Sequence, residues 1–295
     1  MYGIIDIGSN TMRLSCYRVV EKQLIPTFHK KNMAGLAGYV DQDNCLSKKG
    51  IKRAIETLED FKKLIMCVGL DKLYVIATAS IRNVDNTEKV VKEILDKTGI
   101  EVEILSGKQE AMYDFQGATY CCKSETGMVV DIGGGSTELV CFEDYKVEDA
   151  NSIPVGSLNC FSKFVDGLFP TEAEEEKIRA FVRKHLDKLN IGKQKMILGV
   201  GGTNRACMKL YNDYFDCEVE NTIMESDKIT EMLSAIGTGE KAGMKQILKI
   251  VPDRIHTIIP GIIVIDEINQ YCKSKTIQLS AGGVREGYMI EKCCS

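Results

Sequence analysis

Two segments of this sequence end an apolar run with the same three residues, "IIDIGSNTMRL" at 4–14 and "VVDIGGGSTEL" at 129–139. They align without a gap, Asp6 on Asp131, Ile7 on Ile132, Gly8 on Gly133 and Leu14 on Leu139. Glycine lets backbone N–H groups converge on an anion with no Cβ in the way, so each turn can form a nest for phosphate oxygens. The hydroxyls of Ser9, Thr11, Ser136 and Thr137 add donors, beside Asn10 and the glycines Gly8, Gly133, Gly134 and Gly135. Asp6 and Asp131, at the mouths of the turns, are placed to hold Mg2+ directly or through water, because Mg2+ keeps much of its hydration and takes few carboxylates. Tight β-turns would use the same Gly, Asn and Asp residues on their own. The repetition of Asp-Ile-Gly favours phosphate, and a chain that writes one turn twice reads as two related halves.

Commoner phosphate motifs do not fit. A dinucleotide fingerprint needs G-x-G-x-x-G between a strand and a helix. After Gly133 and Gly135 the third position is Glu138, and in "GVGGTN" it is Asn204. No G-K-[ST] follows either segment, so neither is a Walker A loop. "GVGGTNRA" reads instead as a strand, a turn and a helix. Gly201 and Gly202 then lie near a helix N-terminus, able to take a phosphate or to let the helix pack closely on the sheet.

The elements that would position these turns run in two similar programmes. "YGIIDIGS", "MRLSCYRVV" and "QLIPTFHKK" form a three-strand meander, followed by a helix over 47–67, the strand "KLYVIATA", a helix ending at Gly99, the strand "EVEIL" and a helix from Gly107. The second half restarts with "GMVVDIGG", "STELVCFE" and "KVEDANSIPV". Helices over 157–165 and 172–189, the strand "QKMILGVG", the helix "TNRACMKLY" and two more helices follow. A long helix over "PDRIHTIIPGIIVIDEINQY", the strand "TIQLS" and a closing helix "VREGYMIEKC" complete it. Mixed sheets with helices on their faces, made twice, predict a two-lobed α/β protein. Residues 1–121 with the returning 283–295 form one lobe in this reading, and 122–282 the other. The acidic run "TEAEEEKIRAFVRKHLDKL" opens with Thr171 and Glu174 at capping-box spacing, and its charges read as a solvated helix face.

At 295 residues the chain has length for two cores, and 44% hydrophobic with 27% charged residues is ordinary for a soluble globular protein. A net charge of −4 argues against a surface built to grip DNA. "MYGIIDIGSN" enters a strand at once rather than a leader, and "IIPGIIVIDEI" is too short and too acidic to span a bilayer, so the reading is cytoplasmic with no membrane contact. The 12 cysteines include no CxxC, and with only His29, His185 and His256 beside them they read as reduced core residues rather than zinc ligands.

The sequence resembles the exopolyphosphatase/guanosine pentaphosphate phosphohydrolase (Ppx/GppA) family along nearly its whole length. The resemblance is carried, in the family's order, by "DIGSNTMRL", "TASIRN", "ILSGKQEA", "VVDIGGGSTEL", "PVGSL", "GVGGTNRA", "RIHTIIPGIIVIDEI" and "SAGGVREG". It implies two ribonuclease H-like lobes of the acetate kinase, sugar kinase, chaperone ATPase and actin superfamily, with a cleft between them and the two turns clamping a phosphate chain. Ser106 and Gln109 have capping-box spacing, and Glu110 in the first turn is an acid that a helix dipole favours. The resemblance implies more, since Glu110 matches the family's catalytic glutamate, which orients and deprotonates the attacking water. Arg82 of "TASIRN" matches a family arginine near the phosphate, able to offset transition-state charge, although a surface arginine would look the same. Glu138 matches a family acid near the metal, although on a strand it can also face solvent. His256 stands where the family more often has an acid, with a role behind the site or in helix packing expected, and Arg285 and Glu286 are expected to tie the closing helix to the rest through an ion pair.

The implied activity is Mg2+-dependent hydrolysis of the terminal phosphoanhydride of inorganic polyphosphate, with the 5′-phosphate of guanosine pentaphosphate (pppGpp) as the alternative substrate. Larger family members carry further C-terminal helical domains beyond the point where this chain ends, which weighs against long, processive polyphosphate binding. A sugar or acid kinase of the same superfamily, and a polyphosphate or nucleotide sensor without turnover, are the rival classes. "SGKQEA" and an intact Glu110 count against them. A homodimer is an expectation carried by the family alone.

Overall fold

β-branched and aromatic residues in alternation build the first sheet. In the computed structural model, which describes residues 1–237, 239 and 241–294, the chain divides into two compact units, Met1–Tyr113 with Val284–Ser295, and Asp114–Gly283. In the first, β1 (Tyr2–Ile7), β2 (Met12–Val20) and β3 (Gln23–Asn32) form an antiparallel meander. β4 (Lys72–Ala77) and β5 (Glu103–Ile104) add in parallel, giving the order β3-β2-β1-β4-β5. Period-2 alternation sorts β1 between two cores. Ile5 and Ile7 pack with Leu14 under α1 (Lys48–Val68), whereas Ile4 packs with Tyr113, Tyr288 and Met289. Helix α1 buries Ile51, Ala54, Ile55, Leu58 and Phe61 at helical spacing, and the Ser47 side chain accepts from Gly50 N to cap it. A single turn, α2 (Ala79–Arg82), absent from the sequence reading, precedes α3 (Thr87–Thr98) and α4 (Gly107–Cys121). The closing helix (Val284–Cys293) belongs to this unit. Arg285 donates to Ser15 Oγ at 3.0 Å and Glu286 accepts from the Tyr17 hydroxyl, so hydrogen bonds to neutral hydroxyls tie the closing helix to strand β2 where an ion pair was expected.

The second unit repeats the plan. β6 (Gly127–Ile132), β7 (Thr137–Glu143) and β8 (Lys146–Ile153) form the meander, β9 (Met196–Val200) pairs in parallel with β6, and β10 (Ile223–Glu225) and β11 (Thr276–Leu279) complete the order β10-β11-β9-β6-β7-β8. The short edge strand β10 has no apolar alternation, and only its partner β11 makes it a strand. Helices α5 (Ser157–Phe164), α6 (Glu172–Leu186), α7 (Gly201–Tyr214), α8 (Ser226–Ile236), α9 (Lys241–Ile250) and α10 (Ile258–Cys272) cover the sheet.

The long helix expected over 252–271 is shorter at its start. Pro252–Arg254 form a separate 3-10 turn, and α10 begins at Ile258. Pro260 accounts for this, because proline lacks an N–H and fits only the first turn of a helix. From there α10 is buried on every side, with Ile258, Ile259, Ile262, Ile263, Val264, Ile265 and Ile268 all in the core at about 1.5–3 kcal/mol each. Among the described residues no helix is long and apolar enough to cross a membrane. Of the cysteines, Cys16, Cys160, Cys207 and Cys272 are buried as expected, but Cys67 and Cys121 are exposed and the others lie between.

The acidic helix α6 does more than face solvent. Its capping box forms as expected, with Glu174 N bonded to Thr171 Oγ1 at 3.3 Å. Arg179 reaches into α10, lying 2.7 Å from Asp266 and 3.2 Å from Glu267, and Arg183 meets Glu267 at 2.6 Å. Asp266 also accepts from Thr230 at 2.6 Å and Gln270 at 2.8 Å, so one buried carboxylate joins α6, α8 and α10. Asp266→Ala removes the shortest ion pair of Arg179, leaving it Glu175 and Glu267, and takes the acceptor from two neutral donors at once. It should lower stability by about 3 kcal/mol, measured by urea unfolding of the whole chain.

Candidate functional site

Each glycine turn is a hairpin closed by one backbone hydrogen bond, Gly8 N to Thr11 O at 3.1 Å and Gly133 N to Ser136 O at 2.9 Å. A segment downstream of the meander then takes up the turn's carbonyls. In the first unit Ala37 N donates to Ser9 O and Gly35 N to Asn10 O, each at 3.0 Å. In the second, the start of α5 does the same: Ser157 N bonds Gly133 O at 2.9 Å, and Leu158 N and Asn159 N bond Gly134 O at 3.0 Å. The Asn159 side chain reaches Gly135 O at 3.2 Å. A Cβ on Gly156 would overlap the backbone of Gly134 and Gly135, which explains glycine in "PVGSL". With their carbonyls engaged on one side, the turns present their amides on the other. Among the described residues, the amides of Ser9, Asn10 and Thr11 and those of Gly134, Gly135 and Ser136 donate to no protein acceptor. Three consecutive open amides in a tight turn form an anion nest.

The side chains of the turns are used differently. The Ser136 hydroxyl donates to Glu138 Oε1 at 2.8 Å. The Thr137 hydroxyl is buried and donates to Val155 O, and the Thr11 hydroxyl lies 3.4 Å from the Met33 sulfur. Each of the Ser136, Thr137 and Thr11 hydroxyls, expected as donors to phosphate, thus has a protein acceptor in this structure.

Strand register sets the acids in rows. Asp131 on β6 is directly opposite Glu138 on β7, which is opposite Ser152 on β8. The equivalent row of the first unit reads Asp6, Arg13 and Lys31. Directly opposite residues share a face, with Cβ atoms about 4.5–5.5 Å apart. The duplicated scaffold thus carries two carboxylates in a row in one unit, and one carboxylate with two cations in the other. Glu138 is 2% exposed and accepts at Oε1 from both Ser136 and Ser152, the latter at 2.7 Å.

The β9–α7 turn closes over this row. Gly201 has φ +78°, and a Cβ there would overlap the Asp131 carboxylate. At Gly202 a Cβ would overlap the guanidinium of Arg254. The space beside both glycines is filled by side chains, which explains the double glycine of "GVGG". Asn204 locks the turn, donating to Val130 O at 3.0 Å and Val200 O at 2.8 Å. Arg254 has its pKa lowered from the usual arginine value, first by burial and then by Arg205, while Asp131 and Asp253 act the other way. Arg254 opens "RIHTIIPG", and its residue type and spacing give it no role there. Its separation from Asp131 in the chain offers no local signal. His256, two residues on, is exposed and stacks on Phe161 with ring centroids 5.5 Å apart, the packing role expected of it.

In the first unit, α4 starts in the capping box predicted for it, with Ser106 N and Ser106 Oγ 2.9 and 2.8 Å from Gln109 Oε1. That cap places Glu110 one residue on, 8% exposed. Arg82, carried by the single turn of α2, donates to Glu110 Oε2 at 2.6 Å and to Leu105 O at 3.0 Å. The turn itself is held by Ser80, whose hydroxyl donates to Ile7 O at the end of β1. The structure therefore pairs Glu110 with Arg82, two residues that the sequence alone left unconnected.

Among the described residues no group of three or more His, Cys, Asp or Glu side chains converges as a metal cluster. A pair of opposed carboxylates is nonetheless what Mg2+ uses, since it is held by one or two carboxylates plus water and phosphate oxygens. Asp131 and Glu138 fit that description. Asp6 stands in a row with Arg13 and Lys31 instead.

Comparison with known proteins agrees along the chain. The model of the Ppx/GppA phosphatase family matches residues 15–295. A bifunctional 3-dehydroquinate synthase/phosphatase of Fusobacterium nucleatum is 27% identical over 97% of this chain, which spans 46% of that protein. A putative exopolyphosphatase of Haemophilus influenzae is 23% identical, with 98% of this chain and 90% of that protein covered. A guanosine-5′-triphosphate,3′-diphosphate pyrophosphatase of Aeromonas hydrophila is 25% identical over 97% of this chain and 58% of its own length. Among solved structures, the Aquifex aeolicus Ppx/GppA family member superposes with a TM-score of 0.81 at 26% identity, covering 99% of this chain and 96% of its own. An exopolyphosphatase of Cytophaga hutchinsonii shares the fold at a TM-score of 0.88 and 18% identity, covering 99% of this chain and 98% of its own. The two α/β units are those of the actin-like ATPase fold. With the family's motifs in order and its fold shared end to end, the chain belongs to the Ppx/GppA phosphatase family.

Proposed function

We propose that this protein is a cytoplasmic, Mg2+-dependent exopolyphosphatase, which transfers the terminal phosphoryl group of inorganic polyphosphate to water. The observation that carries the reading is the pair of turns, each with three consecutive amides lacking a protein acceptor, at 9–11 and 134–136. Such turns bind phosphate oxygens through backbone alone, with no demand on the rest of the substrate, which suits a polymer of identical phosphates. In phosphoryl transfer there is little covalent work for the protein, so positioning and charge supply most of the rate. In the second unit Asp131 and Glu138 would hold Mg2+, which when bound neutralises charge on phosphate oxygens. Arg254, beside Gly202, adds a fixed cation.

In the first unit Glu110 orients the attacking water and accepts its proton as the phosphoryl group transfers. Arg82 fixes the Glu110 carboxylate through one guanidinium nitrogen. Its remaining N–H groups offer charge to the developing oxyanion. Asp6, at the mouth of the first turn and opposite Arg13 in the strand register, is the third acid of the proposed metal set.

Phosphate release by the purified protein with Mg2+, compared on polyphosphate, pppGpp and ATP, tests the reading. Polyphosphate should be the preferred substrate. Preference for pppGpp would keep the chemistry and replace the substrate, and no release from any of them would sink the hydrolase reading. Glu110→Gln should lower kcat by about a hundredfold or more with KM little changed, since it removes only the acceptor. Arg254→Ala should chiefly weaken phosphate binding. Arg254→Lys should restore it only in part, because an ammonium cannot reproduce the planar fork; KM measurements on the two variants decide this.

A further inference from the structure

We infer that Ser80 is a positioning residue, whose hydroxyl holds the first glycine turn and the Arg82–Glu110 pair in one frame. This rests on the reading of Glu110 as the base for the attacking water. Ser80 lies in the single turn of α2, 4% exposed, and its hydroxyl donates to Ile7 O at 2.5 Å. Serine in a helix commonly bonds its own neighbouring backbone. This one reaches instead to a carbonyl 73 positions earlier in the chain, at the end of β1. Ile7 shares a peptide plane with Gly8, whose N–H closes the glycine turn on Thr11 O at 3.1 Å. The plane that enters the turn is thus held at its carbonyl by α2 and at its N–H by the turn itself. The Thr78 amide also donates to Ile7 O, but at 3.5 Å, so the hydroxyl is the closer of the two donors.

Two residues beyond Ser80, Arg82 donates to Leu105 O at 3.0 Å and to Glu110 Oε2 at 2.6 Å. A helix of four residues is too short to be stable alone, so α2 takes its place from what it is tied to. Ser80 supplies the tie toward the glycine turn, and Arg82 the tie toward Glu110. The second unit makes a comparable tie with another side chain. α7 follows β9 as α2 follows β4, each strand pairing in parallel with the strand that enters a glycine turn. Asn204, early in α7, donates to Val130 O on that strand at 3.0 Å.

The consequence falls on turnover rather than on binding. Without Ser80 the nest at 9–11 keeps its closing bond and its brace from Gly35 and Ala37. What Ser80 sets is the distance from a phosphate held in that nest to a water held by Glu110. Reacting groups misplaced by about 1 Å can lose about a hundredfold in rate.

The test is the kinetics of phosphate release from polyphosphate with Mg2+, measured on the whole chain. Wild type is compared with Ser80→Ala, Ser80→Thr, Glu110→Gln and the double variant Ser80→Ala with Glu110→Gln. Thr57→Val is the control, because Thr57 is also buried and its hydroxyl bonds Arg53 O at 2.9 Å within α1, away from the turn. Ser80→Ala should lower kcat about tenfold or more with KM within about twofold of wild type. Ser80→Thr keeps the donor and should hold kcat within about threefold. Thr57→Val should keep wild-type kcat and KM, while thermal unfolding shows each variant folded. In the Glu110→Gln background Ser80→Ala should cost less than about twofold, because residues that act through one group are not additive.

Wild-type kcat in Ser80→Ala, with turnover lost in Glu110→Gln, would overturn the positioning role and leave the base standing. A raised KM at unchanged kcat would assign Ser80 to the hold on phosphate and overturn it as well. So would a folded threonine variant as slow as the alanine variant, an equal loss in Thr57→Val, or fully additive losses in the double variant. Wild-type turnover in Glu110→Gln, or none in wild type, would remove the base reading and this inference with it.

Discussion

The orientation of the backbone in two short turns is the constraint on which the rest of the molecule is arranged. An amide plane has a carbonyl on one side and an N–H on the other, so a turn can offer its donors outward only if its acceptors are satisfied inward. Ala37 and Gly35 meet that condition for residues 9 and 10, and the start of α5 meets it for residues 133 and 134. The cost appears in α5. Its first amides, which in another helix would be capped or hydrated, are spent on the glycine loop, and Gly156 must lack a Cβ for the approach. The helix is a brace for the nest rather than an anion site of its own.

Charge is then distributed unequally over a duplicated frame. Both units pair a first, second and third strand in the same register, so the residues at equivalent places lie in equivalent rows. One row holds an acid and two bases, the other two acids and a serine. The row with two acids is also the one against which the β9–α7 turn packs, with Gly201 and Gly202 making room for Asp131 and Arg254. Equivalent register therefore gives both units one geometry, and different residues at the row positions give it different charge. The first unit contributes an acid held by an arginine, Glu110 on Arg82, and the second a pair of acids with a fixed cation beside them.

Rigidity behind the second unit's row comes from α10, almost wholly buried and pinned by Asp266 and Glu267 to Arg179 and Arg183 of α6. The segment just before α10 carries Arg254. Pro260 keeps α10 from extending back through it, so Arg254 lies in a turn whose backbone is free of the helical path and can face Gly202.

What the sequence determined by itself was local: two Asp-Ile-Gly turns, the meanders around them, the capping boxes at Ser106 and Thr171, and the family to which their order belongs. These depend on residues within a few positions of one another, where glycine freedom, capping and apolar period act directly. What tertiary structure decided was which side chains meet. Strand register put Glu138 between Asp131 and Ser152, and put Asp6 opposite Arg13, and a register cannot be read from one strand at a time. Arg82 found Glu110 through two separate elements, Arg254 found Gly202 across the unit, and the hydroxyls of Ser136 and Thr137 met acceptors on β7 and the β8–α5 link. Such contacts depend on packing between segments distant in the chain, which residue type and spacing do not encode.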